Sequence, residues 1–182
     1  MIIGLVRHFK VDLPFLPKRY NADEFNKQML DYDSAPVIIR EVEMDGHEWD
    51  VCYCSNLPRA VTTAENIYNK ELIKTELLRE VPLRAFTNRK INLPTFFWHV
   101  GGRIAWRRNG KSQPETFLET KKRINEMFDI ISACGYSKIL LVTHGFFMRL
   151  FSAELKKKGF NGEIDVSPRN GKLYVFNNNN SF

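Results

Sequence analysis

An α/β fold, a three-layer α/β/α sandwich around a mostly parallel sheet, is predicted for this 182-residue chain by three observations. Short apolar runs read as strands, longer segments show a helical period, and the two kinds alternate along the chain. Strands that alternate with helices pair in parallel and leave both sheet faces to be covered by helices.

In order, Ile2 to Val6 reads as a buried strand, and so does Val51 to Cys54. Cys52 and Cys54 fall on one face of that strand and are expected in the core, as free cysteines usually are. Pro58 suits the first turn of a helix running to about Asn69, with Ser55 or Asn56 as its cap. A weaker strand is expected near Thr75 to Leu78. Pro114 should open a long helix whose apolar positions include Phe117, Ile124, Met127, Phe128 and Ile131, and Gly135 should end it. Ile139 to Val142 is a further strand, followed by a helix that begins just after His144 and stops near Gly159. Leu173 to Phe176 reads as an edge strand. The polar run Asn177 to Asn180 is expected to fray.

The stretch from Arg84 to Lys111 fits neither period. It mixes Phe86, Phe96, Phe97, Trp98 and Trp106 with Arg84, Arg89, Arg103, Arg107 and Arg108. A long irregular insertion in a compact domain is usually functional, and this one is expected to act as a lid or binding loop at about 84–111.

The length suits one domain over 1–182. A hydrophobic content of 43% and a charged content of 26% are ordinary for a globular protein. Lys and Arg outnumber Asp and Glu by 27 to 21. That excess favours an anionic partner, whether nucleic acid, lipid headgroups or a phosphorylated small molecule. No run approaches the ~18 apolar residues of a membrane span, and the apolar start at Met1 to Val6 is too short for a signal peptide. Cys52, Cys54 and Cys134 are odd in number, which argues against a disulfide framework and for a cytoplasmic protein.

Ligands of open α/β sheets bind at the carboxyl ends of strands. Here the first strand runs into Arg7-His8, the second into Ser55-Asn56-Leu57-Pro58-Arg59, and a later one into Thr143-His144-Gly145. Two His and two Arg at one sheet edge suit a phosphate dianion, because the guanidinium fork matches phosphate oxygens in pairs. The helix after His144 would aim its free N–H groups at the same anion. Neutral imidazole is a competent nucleophile. With an ordinary pKa of about 6.5, about three quarters of a histidine is unprotonated at neutral pH.

Leu5-Val6-Arg7-His8 resembles the signature of the histidine phosphatase superfamily, the group that includes phosphoglycerate mutases. Ser55 to Ala60 with Thr63-Ala64 resembles that family's second motif, and Val142-Thr143-His144-Gly145 its second histidine motif. The resemblance implies a phosphoglycerate-mutase-like fold and a metal-independent phosphomonoesterase with no cofactor. His8 would become phosphohistidine; Arg7, Arg59, His144 and the Gly145 backbone would hold the phosphoryl oxygens; Glu80, in Leu77-Leu78-Arg79-Glu80, would be the proton donor. The family's other branch has Asp after the second histidine, where this chain has Gly145.

This chain departs from the family at Phe9, where members usually have a small residue, and at Lys10 to Pro14, which replaces a polar run that helps to bind substrate. The phosphate pocket is therefore supported while the usual substrate contacts are not, which leaves three readings. A phosphatase acting on a small phosphorylated substrate is preferred, with no nucleic-acid or membrane partner. A mutase that returns the phosphoryl group to its substrate is one alternative. An inactive phosphate-binding protein, its site crowded by Phe9, is the other.

Among the remaining residues, His47 is expected at the surface and His99 in packing, and Ser55 could donate to a phosphate or cap the helix at Pro58, with capping preferred. The resemblance implies a supporting place beside the site for Glu115 and Arg123, which fall where the family has a Glu and a helical Arg. The cations Lys156 to Lys158 are explained by the helix end they occupy.

Overall fold

The structure, a computed structural model, describes residues 1–13 and 19–178. Its elements run β1 (Ile2–Arg7), β2 (Lys10–Val11), β3 (Arg19–Tyr20), α1 (Ala22–Ser34), β4 (Val37–Ile38), β5 (Val51–Ser55), α2 (Pro58–Ile67) and β6 (Leu72–Thr75). They continue with a 3-10 turn (Glu76–Leu78), β7 (Leu93–Pro94), α3 (Thr95–Arg107), α4 (Phe117–Ala133), β8 (Lys138–Thr143), α5 (Gly145–Lys157) and β9 (Leu173–Asn177). Among the described residues, the main sheet has the strand order β6-β5-β8-β1-β9. Its strands are parallel except β9, which pairs antiparallel to β1 at the edge.

Alternation along the strands builds the three layers. Ile3, Leu5, Tyr53, Ile139 and Leu141 face one way and pack with Met127 and Ile131 of α4 and Phe147 and Phe151 of α5. Val6, Cys52, Cys54, Leu140 and Val142 face the other way and pack with Ala60 and Ala64 of α2. Each large apolar side chain buried this way contributes roughly 1.5–3 kcal/mol. Gly4 has a packing reason: a Cβ there would lie 2.5 Å from the ring of Trp49. A third cluster, of Tyr20, Phe25, Leu83 and Trp98 among others, joins α1 to α3.

Several local expectations are corrected. The strand expected at Thr75 to Leu78 lies earlier, because the Thr75 hydroxyl accepts from the Leu77 N–H and starts the 3-10 turn. The cap of α4 is Thr116, not the Pro114 region, since Thr116 and Glu119 form a reciprocal capping box. Gly135 follows that helix with a φ of +78°, the left-handed conformation glycine adopts readily. Helix α2 has Pro58 in its first turn but ends at Ile67, and neither Ser55 nor Asn56 caps it. Asn56 instead accepts from Arg79 Nε at 2.6 Å.

Two helices were not foreseen. The first, α1, carries its own capping box, Asn21 with Glu24. The second, α3, occupies the stretch expected to be irregular. Trp98, Gly102 and Trp106 form its buried face at four-residue spacing, while Gly101 and Gly102 weaken its local propensity. Of the run Asn177 to Asn180, Asn177 ends β9 and Asn178 accepts from the Met1 amino group, while 179 and 180 lie outside the described residues, as does Pro14. No helix among the described residues is long and apolar enough to cross a membrane.

Candidate active site

Sheet order brings the three motifs together. β8 lies between β1 and β5, and Arg7 is in register with Thr143. The strand ends therefore deliver Arg7-His8, Ser55 and His144 side by side. The imidazoles of His8 and His144 have ring centroids 5.1 Å apart. His8, Arg59 and His144 are each at most 1% exposed.

The protonation pattern of His8 follows from the one hydrogen bond its ring makes among the described residues. Nδ1 lies 2.6 Å from the Phe9 carbonyl oxygen, which can only accept, so Nδ1 carries the hydrogen and Nε2, with no hydrogen-bond partner among the described residues, keeps its lone pair. Burial, then the Arg59 guanidinium, lowers the His8 pKa to about 3, while the Phe9 carbonyl opposes the shift and Arg7 adds to it. His144 is lowered well below the ordinary range, first by burial and then by Arg59, His8 and Arg7. Its Nδ1 accepts from Arg59 Nε at 3.2 Å, and its Nε2 lies 2.8 Å from Ser55 Oγ. The Ser55 hydroxyl thus reaches the site while also accepting from the N–H of Leu57, the N-cap residue of α2, at 3.3 Å.

Arg59 also donates from Nη1 to Asp33 at 2.9 Å, and its guanidinium lies 5.1 Å from the centre of the Tyr32 ring. Tyr32 meets His8 edge-on at 6.4 Å. The last turn of α1 therefore covers the pocket. Arg7 donates from Nη1 to the Pro168 carbonyl, while its Nε is buried with no hydrogen-bond partner among the described residues. Gly145 makes room for it, since a Cβ there would stand 3.0 Å from the guanidinium carbon. A Cβ there would require the guanidinium to give way by a few tenths of an ångström.

Glu80 is half-buried, and its carboxylate accepts from the N–H groups of Val81, Phe146 and Phe147. The last two belong to the first turn of α5, so Glu80 takes up donors that the sequence reading had reserved for a phosphate. Its place is set from outside. Thr143 donates to the Leu78 carbonyl at 2.6 Å, and Arg123 donates to the carbonyls of Leu77 and Arg79. Arg123 is in turn held by both oxygens of Glu115.

The Phe9 ring is fully buried and lies against Gly171, whose φ is +59°. Its ring is packed inside the protein against the Gly171 turn. Its N–H donates to Thr63 Oγ1, and Thr63 donates to the Arg59 carbonyl, so one threonine ties the first motif to the second. Sequence reasoning did not find Tyr32, Asp33, Pro168 or Asn170. Asn170 donates to the His8 carbonyl, and the Asn170-Gly171 pair before a strand was the available turn signal. His47 lies tilted against Trp49, and His99 packs edge-on against Phe25; neither joins the pocket. Among the described residues, no three His, Cys, Asp or Glu side chains gather as a metal-holding group.

A buried neutral imidazole makes the fold sensitive to acid. The unfolded chain protonates His8 near pH 6.5, whereas the native chain resists until about 3. This group's contribution is complete above pH 6.5 and is lost as pH falls from there toward 3. Between pH 6.5 and 4 the loss is on the order of 3 kcal/mol. Urea unfolding midpoints should fall over that range, and the fall should be smaller in His8→Asn. A midpoint that stays constant would contradict the buried, neutral state.

A family model described as histidine phosphatase superfamily (branch 1) matches residues 41–181, a span that begins after the Arg7-His8 motif. No match was found among curated protein sequences. Solved structures share the fold. The alpha-ribazole phosphatase from Shigella flexneri is 17% identical, covering 93% of this chain and 95% of that one, with a TM-score of 0.54. The product of an open reading frame of Mycobacterium tuberculosis is 14% identical, covering 96% and 89%, with a TM-score of 0.57. A phosphoserine phosphatase from Entamoeba histolytica, in complex with 3-phosphoglyceric acid, is 19% identical, covering 86% and 80%, with a TM-score of 0.50.

Proposed function

The chain belongs to the histidine phosphatase superfamily, branch 1, and on that premise we propose that it hydrolyses a small phosphate monoester through a phosphohistidine on His8. The observation that carries the reading is the geometry at His8: Nδ1 is held 2.6 Å from the Phe9 carbonyl oxygen, which leaves Nε2 to attack, and burial beside Arg59 favours the neutral ring.

Nε2 attacks the phosphorus in line, a P–N bond forms, and the ester P–O bond breaks. Arg7 and Arg59 neutralise the non-bridging oxygens, so the reading requires no metal. Asp33 sits on Arg59 as a carboxylate, which makes it a stand-in for a phosphate oxygen that would replace it. Glu80 gives its proton to the leaving oxygen. In the second half, water attacks the phosphorus, Glu80 takes the water's proton, the P–N bond breaks with its electron pair returning to Nε2, and inorganic phosphate leaves. The backbone N–H groups on Glu80 hold both oxygens in place and leave other lone pairs for this exchange. The three unpaired cysteines suit a reducing cytoplasm.

A leaving-group comparison tests Glu80. Glu80→Gln should lower turnover of an alkyl phosphate by about 10²–10³-fold. Hydrolysis of p-nitrophenyl phosphate, whose leaving group needs no proton, should fall much less. Equal losses on the two substrates would remove Glu80 from the acid role. Assayed on phosphorylated metabolites, the reading expects free phosphate; an isomerised ester would instead assign a mutase.

A further inference from the structure

We propose that the outer face of α3, with the basic residues around it, docks this protein onto the anionic surface of a lipid bilayer. The helix spends one face on the core, through Trp98, Gly102 and Trp106. Its opposite face presents Phe96 at 69% exposure, Phe97 at 54%, Ile104 at 49% and Val100 at 39%. Contiguous exposure of this kind marks an interaction surface.

Charge identifies the partner. Residues 84–111 hold seven Lys and Arg and no Asp or Glu, and the rest of the chain holds 20 against 21. The whole positive excess therefore resides in this one segment. Arg84, Arg89, Lys90, Arg107, Arg108 and Lys111 are all exposed. An apolar helical face flanked by basic residues lies in a membrane interface, with its apolar side chains among the acyl chains and its cations among anionic headgroups. The lack of a spanning segment bears on crossing a bilayer, not on lying against one.

Other partners fit less well. Nucleic acid would be gripped by stacking rings. The segment's two tryptophans are buried, with their N–H groups bound to the Tyr20 carbonyl and the Thr120 hydroxyl. Phe96 and Phe97 are the exposed rings of this face, and Val100 and Ile104 beside them have no ring to stack. A second copy docked through the same face would bring like charges together. The helix is also firmly based: Arg103 donates to the Val81 carbonyl at 3.1 Å, and its guanidinium lies 3.9 Å from the centre of the Phe146 ring.

The test is co-sedimentation of the full chain with phosphatidylcholine vesicles, with and without about 30% phosphatidylserine. The protein should sediment only with the anionic vesicles, and less as salt rises. Phe96→Ser with Phe97→Ser, and separately Arg107→Glu with Arg108→Glu, should each weaken partitioning by at least about tenfold. Both variants should keep a native circular dichroism spectrum and wild-type turnover of a soluble phosphate ester. Failure of the wild type to sediment with anionic vesicles would overturn the proposal, as would variants that partition like the wild type. Retention by a DNA duplex without vesicle binding would overturn it too, as would self-association that the Phe variant abolishes.

Discussion

His8→Ala should lower release of inorganic phosphate from p-nitrophenyl phosphate by about 10⁴-fold. Nothing nearby substitutes for the lost nucleophile. The neighbouring imidazole of His144 has both nitrogens engaged, one by Arg59 and the other by Ser55. The fold should survive, because the His8 ring makes one hydrogen bond, to the carbonyl of the next residue. Acid-labile phosphoryl-protein, trapped by rapid quenching with a radiolabelled substrate, should form in the wild type and be absent from the variant. Near-normal turnover in His8→Ala would end the proposed mechanism.

Arg59→Lys is expected to be almost as severe, with a fall in kcat/KM of about 10³-fold. The guanidinium reaches His144 with Nε and Asp33 with Nη1 at once, from a side chain that is 1% exposed. A lysine has one nitrogen and cannot span both partners. It would leave His144 Nδ1 with an unmet acceptor in a buried site, at a cost of about 1–3 kcal/mol. Activity and unfolding should be measured together. A loss of stability with kcat/KM unchanged would make Arg59 a structural residue alone.

Strand ends were legible because chemistry interrupts apolarity there. Val6 gives way to Arg7-His8 and Val142 to Thr143-His144, and such breaks show in any single sequence. Helix α3 was hidden by the reverse effect. Its exposed Phe96, Phe97, Val100 and Ile104 blur the apolar period that its buried Trp98 and Trp106 would otherwise display. Ser55 was misread because a hydroxyl before Pro58 has a local use as a cap, and only the third motif, far along the chain, offers it His144.

By itself the amino-acid sequence determined the alternation of strands and helices, and with it the sheet edge that gathers Arg7, His8, Arg59 and His144. Period and punctuation are local properties, and parallel order puts the carboxyl ends of β1, β5 and β8 on one side. Tertiary structure alone decided what each side chain does there. It set Asp33 on Arg59, turned Phe9 into the core, and gave Glu80 the N–H groups at the start of α5. Those outcomes depend on contacts between residues distant in the chain, which leave no periodic trace in the order of the amino acids.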